Sequence, residues 1–494
     1  MRPPGGSWSA ITPISATDAA RGQPAQPGWG RSPLKKRLAK RNLVKPLDFR
    51  FAGPILRRMS SLDDPRPVPD RAFARNLRMG GVAGGILGAT LGSAATTLLR
   101  GQRPDLAKAA LTPANALRLA GGLGELRGAA MKLGQMLSME NGVALPPELA
   151  AILGQLQANA PAMPPAQLKQ MLTQEWGAGW HRHFKRFEVR PIAAASIGQV
   201  HRARTHDGRT LAIKVQFPGI AQSIDSDIAT LGRILRMPGL LPRGLDITPL
   251  LAEARSQLHD EADYQREAAA LTAFGTALAE EPAFYVPTPC PEFSTRRILA
   301  MEFVESQPID DALQAPQAQR NQIAADLIAL VLREIFGLGR MQTDPNFANY
   351  RLAPDGRIVL LDFGATREIA PEISATYRAL LRAFLAPDRD AIWQHMTQLG
   401  YFRPDQPQAR QALIVELALQ ASAPLRQSAP YDFARSALIE DLARAGQELG
   451  SAREFWHVPP ADLLFLHRKI GGMFLLAQRL GAQIALPPLL EPWA

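Results

Sequence analysis

Cysteine is nearly absent: Cys290 stands alone in 494 residues. An internal disulfide and every cysteine-cluster metal site are thereby excluded, and a reducing compartment is compatible. Acidic residues are scarce at the N-terminal end. Residues 1–60 hold only Asp18 and Asp48 against twelve lysines and arginines, so this stretch carries ten of the eleven net positive charges. The rest of the chain is close to neutral. It has no basic stripe interleaved with aromatics, so no nucleic acid is expected as a partner. A basic tail beside an apolar segment suits an anionic membrane surface better. Charge is also missing from Met79 to Leu99, between Arg78 and Arg100.

Against these absences stands an ordinary globular composition, 46% hydrophobic and 20% charged, in a chain long enough for more than one domain. Residues 1–75 are rich in Pro, Gly, Ser and Arg and read as a disordered basic extension. Their sparse acids resemble a targeting presequence, while an unused upstream start, with Met59 as initiator, is an equal reading. Residues 76–104 are expected to form a membrane-associated helix. Its uncharged stretch is long enough to cross a bilayer, and Gly80, Gly84, Gly88 and Gly92 align on one face that allows close helix pairing, hence a homodimer. Residues 105–190 read as amphipathic helices broken at Pro146–Pro147 and near Pro161–Pro165. Strand alternation begins after residue 191, as in Thr210–Val215, and residues 191–305 are read as a small lobe with strands. Residues 306–494 are read as a larger helical lobe interrupted by one hairpin at 350–361.

The strongest chemical signal lies around that hairpin. Gln342-Thr343-Asp344-Pro345-Asn346-Phe347-Ala348-Asn349 precedes it and Asp362-Phe363-Gly364 follows it. Phosphoryl transfer asks the protein for metal ligands and a positioned acceptor. Asp344 and Asn349 have the Asp-x-x-x-x-Asn spacing of a kinase catalytic loop, in which the aspartate orients the acceptor and the asparagine holds magnesium. Asp362 is the second magnesium ligand on this reading. Upstream, Leu211-Ala212-Ile213-Lys214 matches the strand whose lysine contacts the phosphates of ATP or ADP, and Glu267 is its candidate acidic partner. The 53 residues between them require inserted helices. Ala193, Ala194, Ala195 and Ser196 stand where a protein kinase has a glycine-rich loop. Alanine forbids the φ > 0 conformations open to glycine, so this loop is stiffer and holds phosphates differently. Met301 and Val304, where the strand 296–304 runs into a connector, complete the candidate nucleotide contacts.

Taken together these residues resemble the UbiB/ADCK-type atypical kinases. The likeness rests on Ser196–His201, on Gln342–Asn346, and on Leu361–Glu368. It extends to Lys132-Leu133-Gly134-Gln135, similar to the family's KxGQ motif, to Glu261 and Asp263, similar to its ExD motif, and to Leu466–Gly472. It covers residues 75–490 and is closest to the mitochondrial coenzyme Q branch.

The resemblance implies an α+β, bilobal, atypical protein-kinase-like fold with an N-terminal helical extension packed on the active site. It implies that Lys132 and Gln135 face Glu261 and Asp263 and exert a regulatory block on peptide substrates, and that Glu267 pairs with Lys214. It implies ATP turnover in support of ubiquinone biosynthesis, with membrane lipids or quinone precursors and the biosynthetic enzymes as partners. The implied location is the bacterial inner membrane, facing the cytoplasm, or the mitochondrial inner membrane. The residues themselves also point away from a protein kinase. The segment after Gly364 enters helix almost at once, leaving no room for a long activation loop, there is no Ala-Pro-Glu end signal, and Thr343 replaces the usual arginine. Two rival readings are a kinase of a small molecule or lipid, and a nucleotide-gated scaffold without turnover.

Overall fold

In the strand Thr210–Gln216 both alternating sets of side chains are hidden. Leu211, Ile213 and Val215 are at most 1% exposed on one side, and Ala212, Lys214 and Gln216 are buried on the other. Such a strand must lie inside a sheet with both faces covered. The computed structural model describes residues 121–124, 126–139, 162–237, 247–438 and 461–494, with scattered positions between 81 and 115 and between 440 and 445. Met59–Ala494 forms one compact unit.

The first helix with described bounds is α1, Arg127–Met139. It buries Ala130 and Leu133 along one side and packs against two helices that follow the strands. Next come α2 (Pro165–Trp176), β1 (Phe184–Phe187), β2 (Ala193–Ala194), β3 (Gly198–Thr205) and β4 (Thr210–Gln216). Helices α3 (Ile220–Leu235), α4 (Thr248–Glu261) and α5 (Tyr264–Ala277) intervene before β5 (Phe284–Tyr285), β6 (Ile298–Glu302) and β7 (Gln307–Pro308). The antiparallel order β1-β3-β4-β6, with β2 added to β3, makes a five-stranded sheet with Lys214 opposite Val200 and Leu299.

The strands therefore begin before residue 191, within the stretch read from sequence as wholly helical. Phe184 of β1 stacks among Trp176 and Phe293, with ring centroids at 5.4 and 5.2 Å, and the Trp176 indole N–H donates to the Phe293 carbonyl. This aromatic cluster fastens β1 to the sheet. Its four residues, Phe-Lys-Arg-Phe, are too few to show a strand period by themselves.

Beyond the sheet, α6 (Gln317–Arg333) runs into a π-helical turn, Glu334–Leu338. There follow β8 (Arg340–Gln342), β9 (Tyr350–Leu352), β10 (Ile358–Leu360) and β11 (Thr366–Glu368). The hairpin pairs Ile358 with Leu352 and Leu360 with Tyr350, and Gly356 takes φ 90° at its turn, a conformation that favours glycine. β11 pairs with β8, so the segment beyond Gly364 returns at once to the strand that precedes Asp344, before helix α7 (Pro371–Leu385) begins. Helices α8 (Arg389–Gln398) and α9 (Gln408–Ala421), the short strand β12 (Tyr431–Asp432), the long α10 (Ala461–Arg479), β13 (Gln483–Ile484) and the short α11 (Pro487–Leu490) complete the described architecture. The β8–β11 and β12–β13 pairs are additions to the single hairpin expected in this part.

The extension 1–75 lies outside the described residues. Within 76–104, Gly81, Gly84, Gly85, Gly88, Gly92, Thr96 and Thr97 are helical and the rest, Gly80 included, is outside the description. No helix among the described residues is long and apolar enough to cross a membrane.

One glycine is decisive for the sheet. A Cβ on Gly198 would collide with the Val215 carbonyl and come within 2.9 Å of the Tyr264 hydroxyl. Both obstacles are fixed, one by strand pairing and one by complete burial. Gly198→Ala is expected to lower stability by about 1–3 kcal/mol, read as a shifted midpoint of chemical denaturation.

Candidate functional site

β4 places Lys214 at the centre of the sheet, on the face that looks into a cleft of about 960 Å³. The first turn of α5 brings Glu267 beneath it. The Lys214 ammonium donates to both Glu267 carboxylate oxygens, at 2.8 and 2.9 Å, and lies 3.6 Å from Asp362 Oδ2. Its Nζ also sits 5.0 Å from the centre of the Tyr264 ring. Burial works against the charge on Lys214, but Asp362 and Glu267 outweigh it and the ammonium is held more firmly than an ordinary lysine.

On the other side of the cleft, the loop between β8 and β9 is pinned to the Asp-Phe-Gly segment. Thr343 N and Oγ1 both donate to the Ala365 carbonyl, at 3.0 and 2.6 Å. The Gln342 side chain and the Asn349 amide each donate to the Asp344 carbonyl, at 2.7 and 3.1 Å. With its N–H spent there, Asn349 keeps its amide oxygen for another partner. Asp362 accepts from Gly364 N at 3.1 Å through Oδ1, and Phe363 packs on Phe274 of α5 with centroids 4.6 Å apart.

Lys132 of α1 reaches into this arrangement with no exposed surface. It donates to Glu261 at 2.5 Å and to Asp344 Oδ2 at 3.1 Å. Glu261 takes a further hydrogen bond from Ser196 Oγ, also 2.5 Å. α1 comes close here because Gly128 lies against the Ser196 carbonyl and Ile197. Burial would push the Asp344 carboxyl up, yet Lys132, and after it Arg468, hold it below the usual aspartate range.

One expectation needs correction. Asp263 does not face Lys132. Its Oδ1 caps α5, accepting from Gln265 N and Arg266 N, as an aspartate at a helix start does. The second partner of Lys132 is Asp344 instead. The Gln135 side chain lies outside the described residues. The remaining candidates converge: Ala193, Ala194, Ala195 and Ser196 line the cleft, as do Met301 and Val304, and so do Lys214, Glu261, Asp344, Asn349 and Asp362. Met301 sits opposite Ala212 in the β4–β6 register.

α10 adds residues that sequence reasoning took only as part of a resemblance. Lys469, 1% exposed, donates to Gln342 Oε1 at 3.1 Å and to Tyr350 Oη at 3.0 Å, and pairs with Glu334 at 3.3 Å. It thereby supports the loop that carries Asp344. Arg468 acts on Asp344 and Lys132 by charge, and its Nε and Nη1 are buried without a hydrogen-bond partner. The available signal was two adjacent cations in the apolar helix Leu463–Leu476, since a buried charge requires a partner.

The donor set suits a nucleotide with magnesium. Asn349 and Asp362 offer hard oxygen ligands and Lys214 a cation. Among the described residues no group of three or more His, Cys, Asp or Glu is placed to hold a metal alone. Magnesium is commonly held by one or two carboxylates together with substrate phosphates.

A sheet carrying a Lys–Glu pair above an Asp…Asn…Asp-Phe-Gly loop, with a helix inserted over Asp344, is the arrangement of an atypical kinase-like fold. Residues 155–396 match the ABC1 atypical kinase-like domain. Atypical kinase COQ8, mitochondrial, of Saccharomyces cerevisiae is 36% identical over 84% of this chain and 83% of its own length. Atypical kinase COQ8B, mitochondrial, of Rattus norvegicus is 36% identical over 86% and 81%. The erythromycin complex of Rv3197 from Mycobacterium tuberculosis superposes with a TM-score of 0.53 at 28% identity, over 78% of this chain and 97% of that one. The chain belongs to the ABC1 family of atypical kinases, the UbiB/ADCK type.

Proposed function

We propose that this protein binds ATP and ADP with magnesium, turns ATP over, and supports ubiquinone biosynthesis at a membrane. The observation that carries the nucleotide reading is the joint presence of Lys214, Asn349 and Asp362 on one cleft wall system, with Lys214 clamped by Glu267. Bound magnesium would neutralise phosphate charge there. Lys214 would hold the phosphates, Asn349 and Asp362 the metal, and Asp344 would orient a water or an acceptor hydroxyl. The Ala193–Ser196 hairpin and Met301–Val304 would flank the nucleotide. Lys132 occupies Asp344 Oδ2, which favours water or a small or lipid acceptor over protein.

The ubiquinone reading comes from the similarity to COQ8 proteins over most of both chains. The names of those relatives include "mitochondrial", which supports the inner membrane of a mitochondrion or its bacterial counterpart. Quinone precursors or other lipids, and the enzymes that process them, are the proposed partners.

The grip of Lys132 on Asp344 gives the scaffold reading its one specific support. Phosphate release with and without anionic lipid vesicles separates the two. Turnover in the parent, stimulated by vesicles and reduced at least about 100-fold in Asp344→Asn, is expected. Nucleotide binding without any phosphate release in the parent would favour the scaffold. A normal quinone pool in a deletion strain would remove the biosynthetic role.

A further inference from the structure

α10 has a second face. Lys469 points to the catalytic loop, whereas His467, Ile470, Met473 and Phe474 line a separate cavity of about 430 Å³. The π-helical turn is split in the same way: Glu334 meets Lys469, while Ile335 and Phe336 belong to the cavity wall. Irregular turns of this kind are frequent at functional sites. The volume falls within the range of about 300–1,000 Å³ that small-molecule sites occupy.

The wall is aliphatic and aromatic, and no Lys, Arg, Asp or Glu lines it. Ser422 in the wall spends its hydroxyl on the Leu419 carbonyl. Tyr431, also in the wall, spends its hydroxyl on Ser436 Oγ. The other polar groups meet at one corner. Tyr377 Oη lies 2.9 Å from Tyr401 Oη and 3.3 Å from His467 Nε2, and Tyr401 Oη is hydrogen-bonded to the same nitrogen.

This corner is uncharged. His467 is exposed at the cavity mouth, and the protein packed around its ring pushes its imidazolium down to about 4. Burial raises both phenols, Tyr401 to about 12. With Nε2 unprotonated, Tyr401 donates to it and Tyr377 donates to Tyr401. The Tyr377 oxygen is then left with lone pairs for an incoming O–H. Turned the other way, its own O–H meets an incoming carbonyl. At the mouth, His467 and Ile470 sit one turn apart on α10, and Ile470 is 44% exposed.

We propose that this cavity binds an uncharged, mostly hydrocarbon molecule with a single oxygen, hydrogen-bonded at the Tyr377–Tyr401–His467 corner. A charged head is excluded because the wall offers no counter-ion, and a buried unpaired charge is too costly. The site is distinct from the nucleotide cleft and does not depend on turnover. It shares α10 and the π-helical turn with the loop that carries Asp344.

Equilibrium dialysis of the full chain against labelled farnesol, the oxygen-free farnesene and farnesyl phosphate tests this. Farnesol is expected to bind saturably at one site, farnesene roughly tenfold more weakly, and farnesyl phosphate not at all. Tyr377→Phe should make farnesol bind no better than farnesene, and Leu381→Trp, which fills the cavity, should abolish both. ATP affinity serves as the folding control. Should Leu381→Trp fail it, the Tyr377→Phe comparison decides. No saturable farnesol binding, equal binding of farnesol and farnesene to the parent, or farnesol binding indifferent to Tyr377→Phe would overturn the proposal and leave a packing void only.

Discussion

Lys132→Met is expected to destabilise the protein by about 3–5 kcal/mol, the usual cost of removing one partner from a buried ion pair. Lys132 is fully buried between Glu261, at 2.5 Å, and Asp344, at 3.1 Å. Without it two carboxylates remain with no cation between them. The pH dependence gives a sharper test. In the parent, burial opposes the charge on Asp344, but Lys132 and Arg468 hold its carboxyl below the ordinary value of 3.8. The folded state thus binds that proton less tightly than the unfolded chain. Its contribution is full above the ordinary aspartate value and disappears only as pH falls through the lower folded one.

Burial also lowers Lys132, but Asp344 and Glu261 raise it beyond the ordinary 10.5. That contribution is full below 10.5 and lost as pH rises through the folded value. Stability from this cluster is therefore flat between about pH 5 and pH 8. In Lys132→Met, burial of Asp344 is opposed only by Arg468 and raises its carboxyl. The folded state then binds protons more tightly, and acidification from neutral restores stability. Thermal unfolding across this interval should show a flat parent and a variant whose midpoint climbs as pH falls. A variant as flat as the parent would contradict the buried ion pair.

Lys214→Met has a comparable effect on the fold and a larger one on binding. Glu267 is fully buried and its two oxygens receive the Lys214 ammonium. The single variant should lose about 3 kcal/mol or more and at least about 100-fold in ATP affinity, because the phosphates lose their cation. Lys214→Met with Glu267→Gln removes the orphaned charge. It should regain most of the stability and none of the affinity, a non-additivity expected of residues in direct contact. Denaturation and calorimetric titration on the three variants check both halves. Recovery of affinity along with stability would show that Lys214 serves only the fold.

Local patterns made part of this arrangement readable. The loop Gln342–Asn349, the hairpin and Asp362–Gly364 are consecutive, so spacing alone ordered their side chains around a strand–turn–strand. Thr210–Val215 alternates as a strand should, and the interval from Lys214 to Glu267 is filled by the helices α3 and α4. Other features depend on contacts between distant segments. Lys132 and Asp344 are 212 residues apart, and nothing near either residue specifies the other. Lys469 reaches across 127 residues to Gln342, and the Tyr377–Tyr401–His467 corner draws on α7, the connection after α8, and α10. β1 was hidden because its pairing depends on an aromatic cluster that includes Phe293. For Asp263 the signal was present: an aspartate directly before Tyr-Gln-Arg-Glu is an ordinary helix N-cap, and the capping geometry follows.

Calorimetric titration of the full chain with ATP, with and without magnesium, alongside Asp362→Asn, tests the central claim most directly. The parent should bind ATP saturably and more tightly with magnesium, and Asp362→Asn should lose that magnesium-dependent gain. No saturable binding by the parent, or an identical magnesium response in Asp362→Asn, would contradict the convergence of Lys214, Asn349 and Asp362 on a metal-bound nucleotide.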